Sequence, residues 1–264
     1  MLQGVLQVWR DHRYLLYKLT YTSLTIQFKK SFLGATWLFV QPIITVFAWV
    51  LLHGAGLFDP GTTGVPYPAY VLISTTIWSL FVSLYQLTSH MLVGNAQVLL
   101  QHQFPREVYI LEKMAVAIFN FLIPLVLSLI VLLAYGVSFS WTIILFPIAL
   151  LPLILFGSAV GIIFALLKAI TSDLNNFFDK AIVLVMYITP VVYANDPGSE
   201  LLQSIIRWNP ITYLLSFPRD LLTQGSFFQP VTFAWVSGAT VLFFVLTLRY
   251  FRYAQPKVME RMVA

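Results

Sequence analysis

Residues 31–58 read SFLGATWLFVQPIITVFAWVLLHGAGLF and contain no acidic or basic side chain. A membrane-crossing helix needs about 20 predominantly apolar residues, so this stretch is long enough to span a bilayer. The rest of the chain agrees, because 59% of its 264 residues are hydrophobic and only 9% are charged, against about a quarter charged in soluble domains. The sequence therefore predicts an all-α integral membrane protein and excludes both a soluble globular domain and a disordered chain.

Five more stretches have the length and composition of membrane spans once their polar flanks are removed. The fifth span is the least regular, because Lys180–Ala194 is short and reaches span length only when Leu174–Phe178 are added. We predict one transmembrane domain over 1–264, with six spans at about 34–58, 69–92, 114–135, 141–167, 175–194 and 231–251.

The basic residues are distributed unevenly between the two sides of this layout. Only Arg207 and Arg219 lie on one side, whereas the other Lys and Arg side chains precede the first span, follow the sixth, or lie in the links between spans two and three and spans four and five. Cationic loops stay cytoplasmic, so we expect both termini in the cytoplasm. Because topology accounts for the positive charge, we expect no nucleic-acid partner.

The predicted spans lack the chemistry of several kinds of transporter and enzyme. Asp173 and Asp179 lie at the mouth of the fifth span and His90 near the inner end of the second, but no relay of ionisable groups crosses the membrane. With no cysteine and four scattered histidines, we predict no metal or catalytic site. No G-x-x-x-x-G-K-[ST] loop occurs, so active transport would need ATP and Mg²⁺ on another subunit, and no cofactor on this chain.

Three polar segments are longer than simple connections require. The first, 1–33, predicts an amphipathic interfacial helix, which either anchors the chain at the membrane surface or transmits motion from a cytoplasmic partner. Its apolar and aromatic face consists of Tyr14, Tyr17, Tyr21, Leu24, Phe28 and Phe32.

The other two segments lie on opposite sides of the predicted membrane. The segment 94–113 is too polar to cross, and Pro105 interrupts it, so we predict a short cytoplasmic helix, a corner and a docking surface. The segment 195–230 combines an apolar stripe with Asn209-Pro210. It predicts short re-entrant helices on the outer side, which serve either as a seal or as an outward gate.

Four motifs occur in order along nearly the whole chain. They are Lys29-Lys30-Ser31-Phe32-Leu33-Gly34-Ala35-Thr36-Trp37 followed by Pro42; Phe104-Pro105-Arg106; Asp173 placed 17 residues before Pro190 in Thr189-Pro190-Val191-Val192-Tyr193; and Asn209-Pro210 with Arg219 downstream. Together they resemble the membrane (permease) subunit of ABC exporters for polysaccharides and polyol phosphates, the family of O-antigen, capsule and teichoic-acid export. The chain has Ser172-Asp173 where that family often has Arg-Asp, so an ionic contact of the missing arginine is not expected here.

The resemblance implies a subunit that moves a lipid-linked polysaccharide across a bacterial inner membrane. It implies a homodimer with two P-loop ATPase subunits, a coupling helix in 94–113 and an outer gate in 195–230. The residues expected to couple to the ATPase are Phe104, Pro105, Arg106, Lys29 and Lys30. Asn209, Pro210 and Arg219 are expected in the outer gate.

The chain is rich in aromatic residues, with 22 Phe, 13 Tyr and 7 Trp. Most must face lipid or its interface, but flat rings can also bind the C–H faces of a sugar. In the family, spans one, two and five bound the channel. The resulting candidates for the substrate path are Trp37, Trp49, Trp78, Tyr85, Tyr187 and Tyr193.

Three other functions are alternatives to this one. An ABC exporter for a small drug or lipid would share the fold but would not need a channel long enough for a polymer. A membrane-embedded lipid-modifying enzyme would need clustered Asp, His, Ser or Arg near one interface, and the sequence shows no such cluster. The large inner docking segments argue against a passive channel. The sequence leaves the glycan and its lipid carrier open.

Overall fold

The computed structural model describes residues 12–29, 32–94, 107–169, 173–195 and 200–263. Within these ranges the regular structure is helical and no strand occurs, so the all-α class is confirmed there. The helices are α1 (Arg13–Lys29), α2 (Trp37–Gly54), α3 (Tyr67–Ser89), α4 (Met91–Gly94), α5 (Glu107–Ala134), α6 (Phe146–Lys168), α7 (Asp173–Tyr187), α8 (Glu200–Trp208), α9 (Pro210–Thr223) and α10 (Pro230–Val263). Short 3-10 turns at Gly34–Thr36 and Trp141–Leu145 precede α2 and α6.

In the described part of the chain, five helices are long and apolar enough to cross a membrane: Gly34–Gly54, Tyr67–Ser89, Glu107–Ala134, Trp141–Lys168 and Pro230–Val258. They coincide with the predicted spans one, two, three, four and six. The third starts at Glu107 rather than at 114, so the end of the predicted docking segment already belongs to α5. Residues 95–106 of that segment lie outside the described ranges.

The predicted fifth span, 175–194, differs from the other five. Its helix α7 has 15 residues and ends at Tyr187, which covers only about 22 Å at 1.5 Å per residue. The hydrocarbon core is about 30 Å thick, so α7 alone is too short to cross it. The helix stops there because Pro190 has no N–H to donate and disfavours helical backbone at the residue before it.

Helix α3 lies at the centre of the molecule, packed against α5 and α6. Two glycines on α6 allow close contact: a Cβ on Gly161 would lie 2.7 Å from the carbonyl oxygen of Tyr85, and one on Gly157 would lie 3.2 Å from that of Phe81. Small residues four positions apart let membrane helices approach until their backbones touch. The position of α3 is therefore fixed by shape as well as by apolar burial.

Helices α1 and α2 lie at the periphery, and neither contains a buried residue. Helix α1 packs against α5, where Asn120 Nδ2 donates a hydrogen bond to Gln27 Oε1 at 3.1 Å. Tyr14, Tyr17 and Tyr21 are exposed, so this part of the predicted aromatic face points away from the rest of the chain.

Helix α9 is buried along its whole length, from Ile211 to Thr223. Asn209 caps it, because its side-chain oxygen accepts a hydrogen bond from the Ile211 N–H at 3.0 Å, and Pro210 occupies the first helical position, where no N–H is needed. The helix lies against α3, α6 and α10. The segment 195–230 is therefore not an exposed loop in its described part but includes a packed helix.

Candidate functional site

A buried arginine forms the centre of a polar cluster between α3, α9 and the turn that follows α7. Arg219 is 2% exposed, and its Nε donates to Asp220 Oδ1 at 2.9 Å. Its Nη1 donates to the Tyr70 hydroxyl at 2.7 Å and to the Pro190 carbonyl at 3.0 Å. Its Nη2 donates to Asn195 Oδ1 at 3.2 Å. We call these five residues the Arg219 cluster; it accommodates a charge whose burial would otherwise be costly.

The charge of Arg219 is permanent at physiological pH. Burial alone would lower the pKa of Arg219, but its interactions with Tyr70 and Asp220 outweigh that effect and raise the pKa above its ordinary value. The guanidinium carbon also lies 4.6 Å from the centroid of the Tyr70 ring, a favourable cation–π distance. Arg219 therefore acts as a fixed cation that holds its neighbours together.

The turn after α7 is held by side chains from α3. Residues 189–194 are buried although they are not helical. The Tyr67 hydroxyl donates to the Val192 carbonyl at 3.2 Å, and the Tyr70 hydroxyl donates to the Tyr193 carbonyl at 2.8 Å. Buried backbone groups need such partners, and irregular backbone at membrane depth is tolerated only where protein surrounds it or a water-filled cavity adjoins it.

Two of the four motifs, which lie apart in the sequence, meet at this turn. Asn209 Nδ2 donates to Thr189 Oγ1 at 2.8 Å and to the Ile188 carbonyl at 3.2 Å, so the residues before α9 are joined to the end of α7. Pro190 contacts Arg219 directly. The residues predicted for an outer gate are thus brought together around one turn of the chain.

A cleft of about 440 Å³ lies between α2, α3 and α5, bounded also by α1 and α7. No charged side chain lines it among the described residues. We call it the amide cleft, and its polar lining consists of Gln27, Gln41, Thr45, Thr75, Thr76, Ser79, Ser83, Gln86 and Asn120. Trp78, one of the aromatic residues predicted for a substrate path, lines the same cleft.

A second cleft, of about 360 Å³, contains three more of the predicted aromatic residues. Trp49, Tyr187 and Tyr193 line it together with Phe58, whose ring lies 5.3 Å from that of Trp49 in an edge-to-face arrangement. We call it the aromatic cleft. It adjoins the Arg219 cluster, because the Tyr193 carbonyl is the group that accepts the Tyr70 hydrogen bond.

The two clefts follow one another along the same two helices. On α2, Thr45 lines the amide cleft and Trp49, one helical turn later, lines the aromatic cleft. On α7, Met186 lines the first and Tyr187 the second. Together the two clefts present amides, hydroxyls, aromatic rings and one carboxylate, that of Asp59, and the aromatic cleft adjoins the Arg219 cluster.

The remaining predicted residues lie elsewhere. Tyr85 is 1% exposed, and its hydroxyl donates to Asp179 Oδ1 at 3.1 Å, so it belongs to a charged cluster near the middle of α7 rather than to a cleft. Trp37 is 48% exposed at the start of α2, and Lys29 is exposed at the end of α1. Lys30, Phe104, Pro105 and Arg106 lie outside the described residues.

Sequence reasoning missed the polar side chains of the amide cleft and the two partners Tyr70 and Asn195. A signal for the cleft exists in the sequence. Gln41, Thr45 and Asn120 interrupt otherwise apolar spans, and burying an amide without a partner costs free energy. Tyr70 carried no such signal, because its contact with Arg219 joins residues 149 positions apart.

The fold and the clefts define a class: a helical membrane protein with several spans and a polar cleft between its helices that no charged side chain lines among the described residues. No family model matches the chain. It is similar to two O-antigen export system permease proteins RfbA of Klebsiella pneumoniae. One is 27% identical over 80% of this chain and 81% of the relative, and the other is 26% identical over 89% and 88%.

A third relative comes from a different bacterium. The O-antigen export system permease protein RfbA of Myxococcus xanthus is 26% identical over 69% of each chain. The three relatives confirm the resemblance predicted from the motifs, to the membrane subunit of an ABC exporter for O-antigen. They also support a transport subunit rather than an enzyme.

Proposed function

We propose that this chain is the channel-forming membrane subunit of an ATP-driven exporter, which moves a lipid-linked polysaccharide from the cytoplasm across a bacterial inner membrane. The observation that carries the proposal is the amide cleft, which offers amide and hydroxyl groups and, among the described residues, no charged side chain. Sugar hydroxyls both donate and accept hydrogen bonds, as do Gln, Asn, Ser and Thr. A neutral lining lets a glycan slide, whereas charged groups would bind it tightly or favour ions.

One acceptor beside the amide cleft has no hydrogen-bond partner within the described part of the chain. The Oδ1 atom of Asn120 is buried and has no hydrogen-bond partner among the described residues, while its Nδ2 is engaged by Gln27. A buried acceptor without a partner costs free energy. This atom is closed to solvent in the present conformation, so the hydroxyl of a sugar would donate to it only when the cleft widens.

The lipid portion of the substrate has a separate surface. An apolar groove of about 650 Å³ lies between α2, α3 and α5, lined by residues that include Phe47, Val50 and Leu72. Because α2 lines both this groove and the amide cleft, a lipid chain in the groove and a sugar in the cleft would lie on different faces of one helix.

The energy source is a separate P-loop ATPase, expected in two copies that bind ATP and Mg²⁺. Its docking surface is the segment 94–113, in which Phe104, Pro105 and Arg106 are the proposed contact residues, and Lys29 and Lys30 are proposed as further coupling residues. This is supported by the way both ends of the undescribed stretch 95–106 are anchored. Met91, Leu92, Tyr109 and Ile110 pack into one apolar cluster with Phe251, so a force on the segment would act on the helix bundle.

The complete path requires a second copy of the chain. Helix α7 lines both clefts, yet Val183 and Leu184 on it remain 53% and 68% exposed. In the proposed assembly another copy covers this side. Helix α7 with the buried turn after it forms the fifth span, α8 and α9 form the outer gate, and both termini are cytoplasmic.

The experiment deletes the gene in its own host and follows the glycan. We expect surface polysaccharide to disappear while lipid-linked polysaccharide accumulates on the cytoplasmic side. A photoreactive residue at Thr45, in the amide cleft, should then cross-link to the glycan, whereas one at Ile44, which is 57% exposed and lines neither cleft, should not. Unchanged surface polysaccharide, or loss of a small lipid or drug instead, would contradict the proposal.

A further inference from the structure

A second group of charged and polar residues lies near the middle of α7. Asp179 Oδ1 accepts a hydrogen bond from Lys168 Nζ at 2.6 Å and from the Tyr85 hydroxyl at 3.1 Å. Its Oδ2 lies 3.3 Å from His90 Nε2. Lys168 Nζ also donates to Ser89 Oγ at 3.0 Å. We call these five residues the Asp179 cluster; it joins the end of α3, the end of α6 and the middle of α7.

The ion pair in this cluster holds its helices together because Lys168 has no access to water. The Lys168 side chain is 0% exposed, whereas that of Asp179 is 30% exposed. A buried ammonium group is costly unless a carboxylate and other acceptors surround it. Lys168 is also the last residue of α6, where the helix dipole favours a cation. Separation of Asp179 from Lys168 therefore needs an input of free energy.

Helix α7 is otherwise weakly held. Of residues 177–187, only Ile182 is buried. Within that range, Asp179 is also the only side chain with a hydrogen bond to another helix. The centroid of the Phe178 ring lies 4.2 Å from that of the Phe164 ring on α6. A helix with so few buried contacts can move at low cost, so the Asp179 cluster, near the middle of α7, and the Arg219 cluster, beyond its end, control its position.

The Asp179 cluster is continuous with the proposed docking segment. His90 separates α3 from the short helix α4, and the chain enters 95–106 directly after α4. Met91 and Leu92 are 2% and 1% exposed and pack against Ile110. A displacement of the docking segment would therefore move α4 and, with it, the adjacent His90 and Ser89.

We propose that the Asp179 cluster couples the docking segment to α7 and thereby controls the width of the amide cleft. At rest, Lys168, Ser89 and His90 hold the middle of α7 against α3 and α6. When the ATPase displaces α4, Ser89 and His90 shift, Asp179 separates from the cluster, and α7 moves. Met186, about 10 Å further along the helix, forms one wall of the amide cleft, which widens.

This inference rests on the proposed function, because it assumes that an ATPase docks on 94–113. Helix α7 is the element with two positions, and both the docking segment and the cleft influence which position it takes. Lys168, Asp179 and His90 are therefore positioning residues, which act on the substrate path through α7 rather than by contact with the glycan.

The test uses a double variant, Lys168→Met with Asp179→Asn, in the full exporter with its ATPase. Removal of both charges breaks the ion pair without leaving one charge buried and unpaired. The control is Lys180→Met, which removes an exposed positive charge from the next position on α7. The chain has no cysteine, so Ser83→Cys in the amide cleft can be added to each variant as the single reactive thiol.

The first measurement is the rate at which this thiol reacts with a small reagent from the cytoplasmic side. In the parent and in Lys180→Met, we expect the rate to rise by roughly fivefold or more when a non-hydrolysable ATP analogue binds the ATPase. In the double variant, we expect the fast rate without nucleotide. ATP hydrolysis should continue, while export per ATP falls by roughly fivefold or more.

A double variant with the slow rate and the export of Lys180→Met would overturn the inference. If the double variant does not accumulate in the membrane, Tyr85→Phe decides instead. It removes the hydroxyl that bonds Asp179 and also interacts with Ser89, and an unchanged thiol rate in that variant would equally overturn the inference. Failure of the parent chain to bind an ATPase or to export polysaccharide would contradict the proposed function itself. That failure is seen in the parent measurement and is therefore distinct from an effect of the variants.

Discussion

Removal of one hydroxyl from the Arg219 cluster tests whether this cluster holds the turn after α7. Tyr70→Phe deletes the oxygen that accepts from Arg219 Nη1 at 2.7 Å and donates to the Tyr193 carbonyl at 2.8 Å. Tyr67→Phe is the matched control. It lies three residues earlier on the same helix and loses only one bond, of 3.2 Å, to the Val192 carbonyl.

The two substitutions should differ in cost because they remove different kinds of hydrogen bond. A side-chain hydrogen bond inside a membrane protein contributes about 0.6 kcal/mol on average, whereas one to a charged group contributes about 1.5–3 kcal/mol. Tyr67→Phe should therefore cost about 0.5–1 kcal/mol. Tyr70→Phe loses one bond of each kind and should cost about 2–3 kcal/mol. Arg219 keeps Asp220 and Asn195, which limits the loss.

The assay is thermal unfolding of the purified chain in detergent. At about 2–4 °C per kcal/mol for a chain of this size, Tyr70→Phe should lower the Tm by about 5–10 °C and Tyr67→Phe by about 1–3 °C. Equal shifts of the Tm in the two variants, or an unchanged Tm in Tyr70→Phe, would refute the conclusion that the Arg219 cluster holds the turn after α7.

Three further predictions concern other parts of the chain. Gly161→Ala should destabilise the bundle by about 1–3 kcal/mol through overpacking, measured by thermal unfolding, whereas Gly238→Ala should not, because a Cβ there meets no atom within 4 Å. Phe104→Ala should leave the chain inserted but lower both ATPase affinity and export, since aromatic anchors dominate interface energies; normal ATPase pull-down with normal export would contradict this. In intact cells, an impermeant thiol reagent should label Thr62→Cys but not Gln101→Cys, and the reverse pattern would overturn the proposed topology.

The helices were predictable where local composition determines them. Five predicted spans coincide with apolar helices because hydropathy is a property of consecutive residues. The Asn209-Pro210 pair marks the point where α9 begins. Such a helix start can be read from the sequence because capping depends on neighbouring residues. The predicted fifth span, which the sequence already marked as the least regular, contains a helix too short to cross a membrane alone, because Pro190 stops that helix after Tyr187.

The clusters and clefts depend on contacts that no local pattern encodes. Arg219 was predicted as a gate residue, but its partner Tyr70 lies 149 positions away. Asp179 was predicted at the mouth of the fifth span, but nothing in the sequence linked it to Lys168, and only the packing of α6 against α7 joins them. Among the aromatic candidates, Trp78 lines a cleft whereas Trp37 is 48% exposed at the start of α2. The type of ring alone therefore does not distinguish a substrate surface from a lipid-facing one.

The most direct test of the account measures transfer of the glycan itself. The chain and its ATPase are reconstituted into vesicles with a lipid-linked polysaccharide, and the fraction of glycan that becomes susceptible to an impermeant glycosidase on the opposite side is followed over time. The account predicts transfer that requires both ATP and this chain. Transfer that proceeds without the chain or without ATP, or no transfer of the polysaccharide when the chain and an active ATPase are present together, would contradict it.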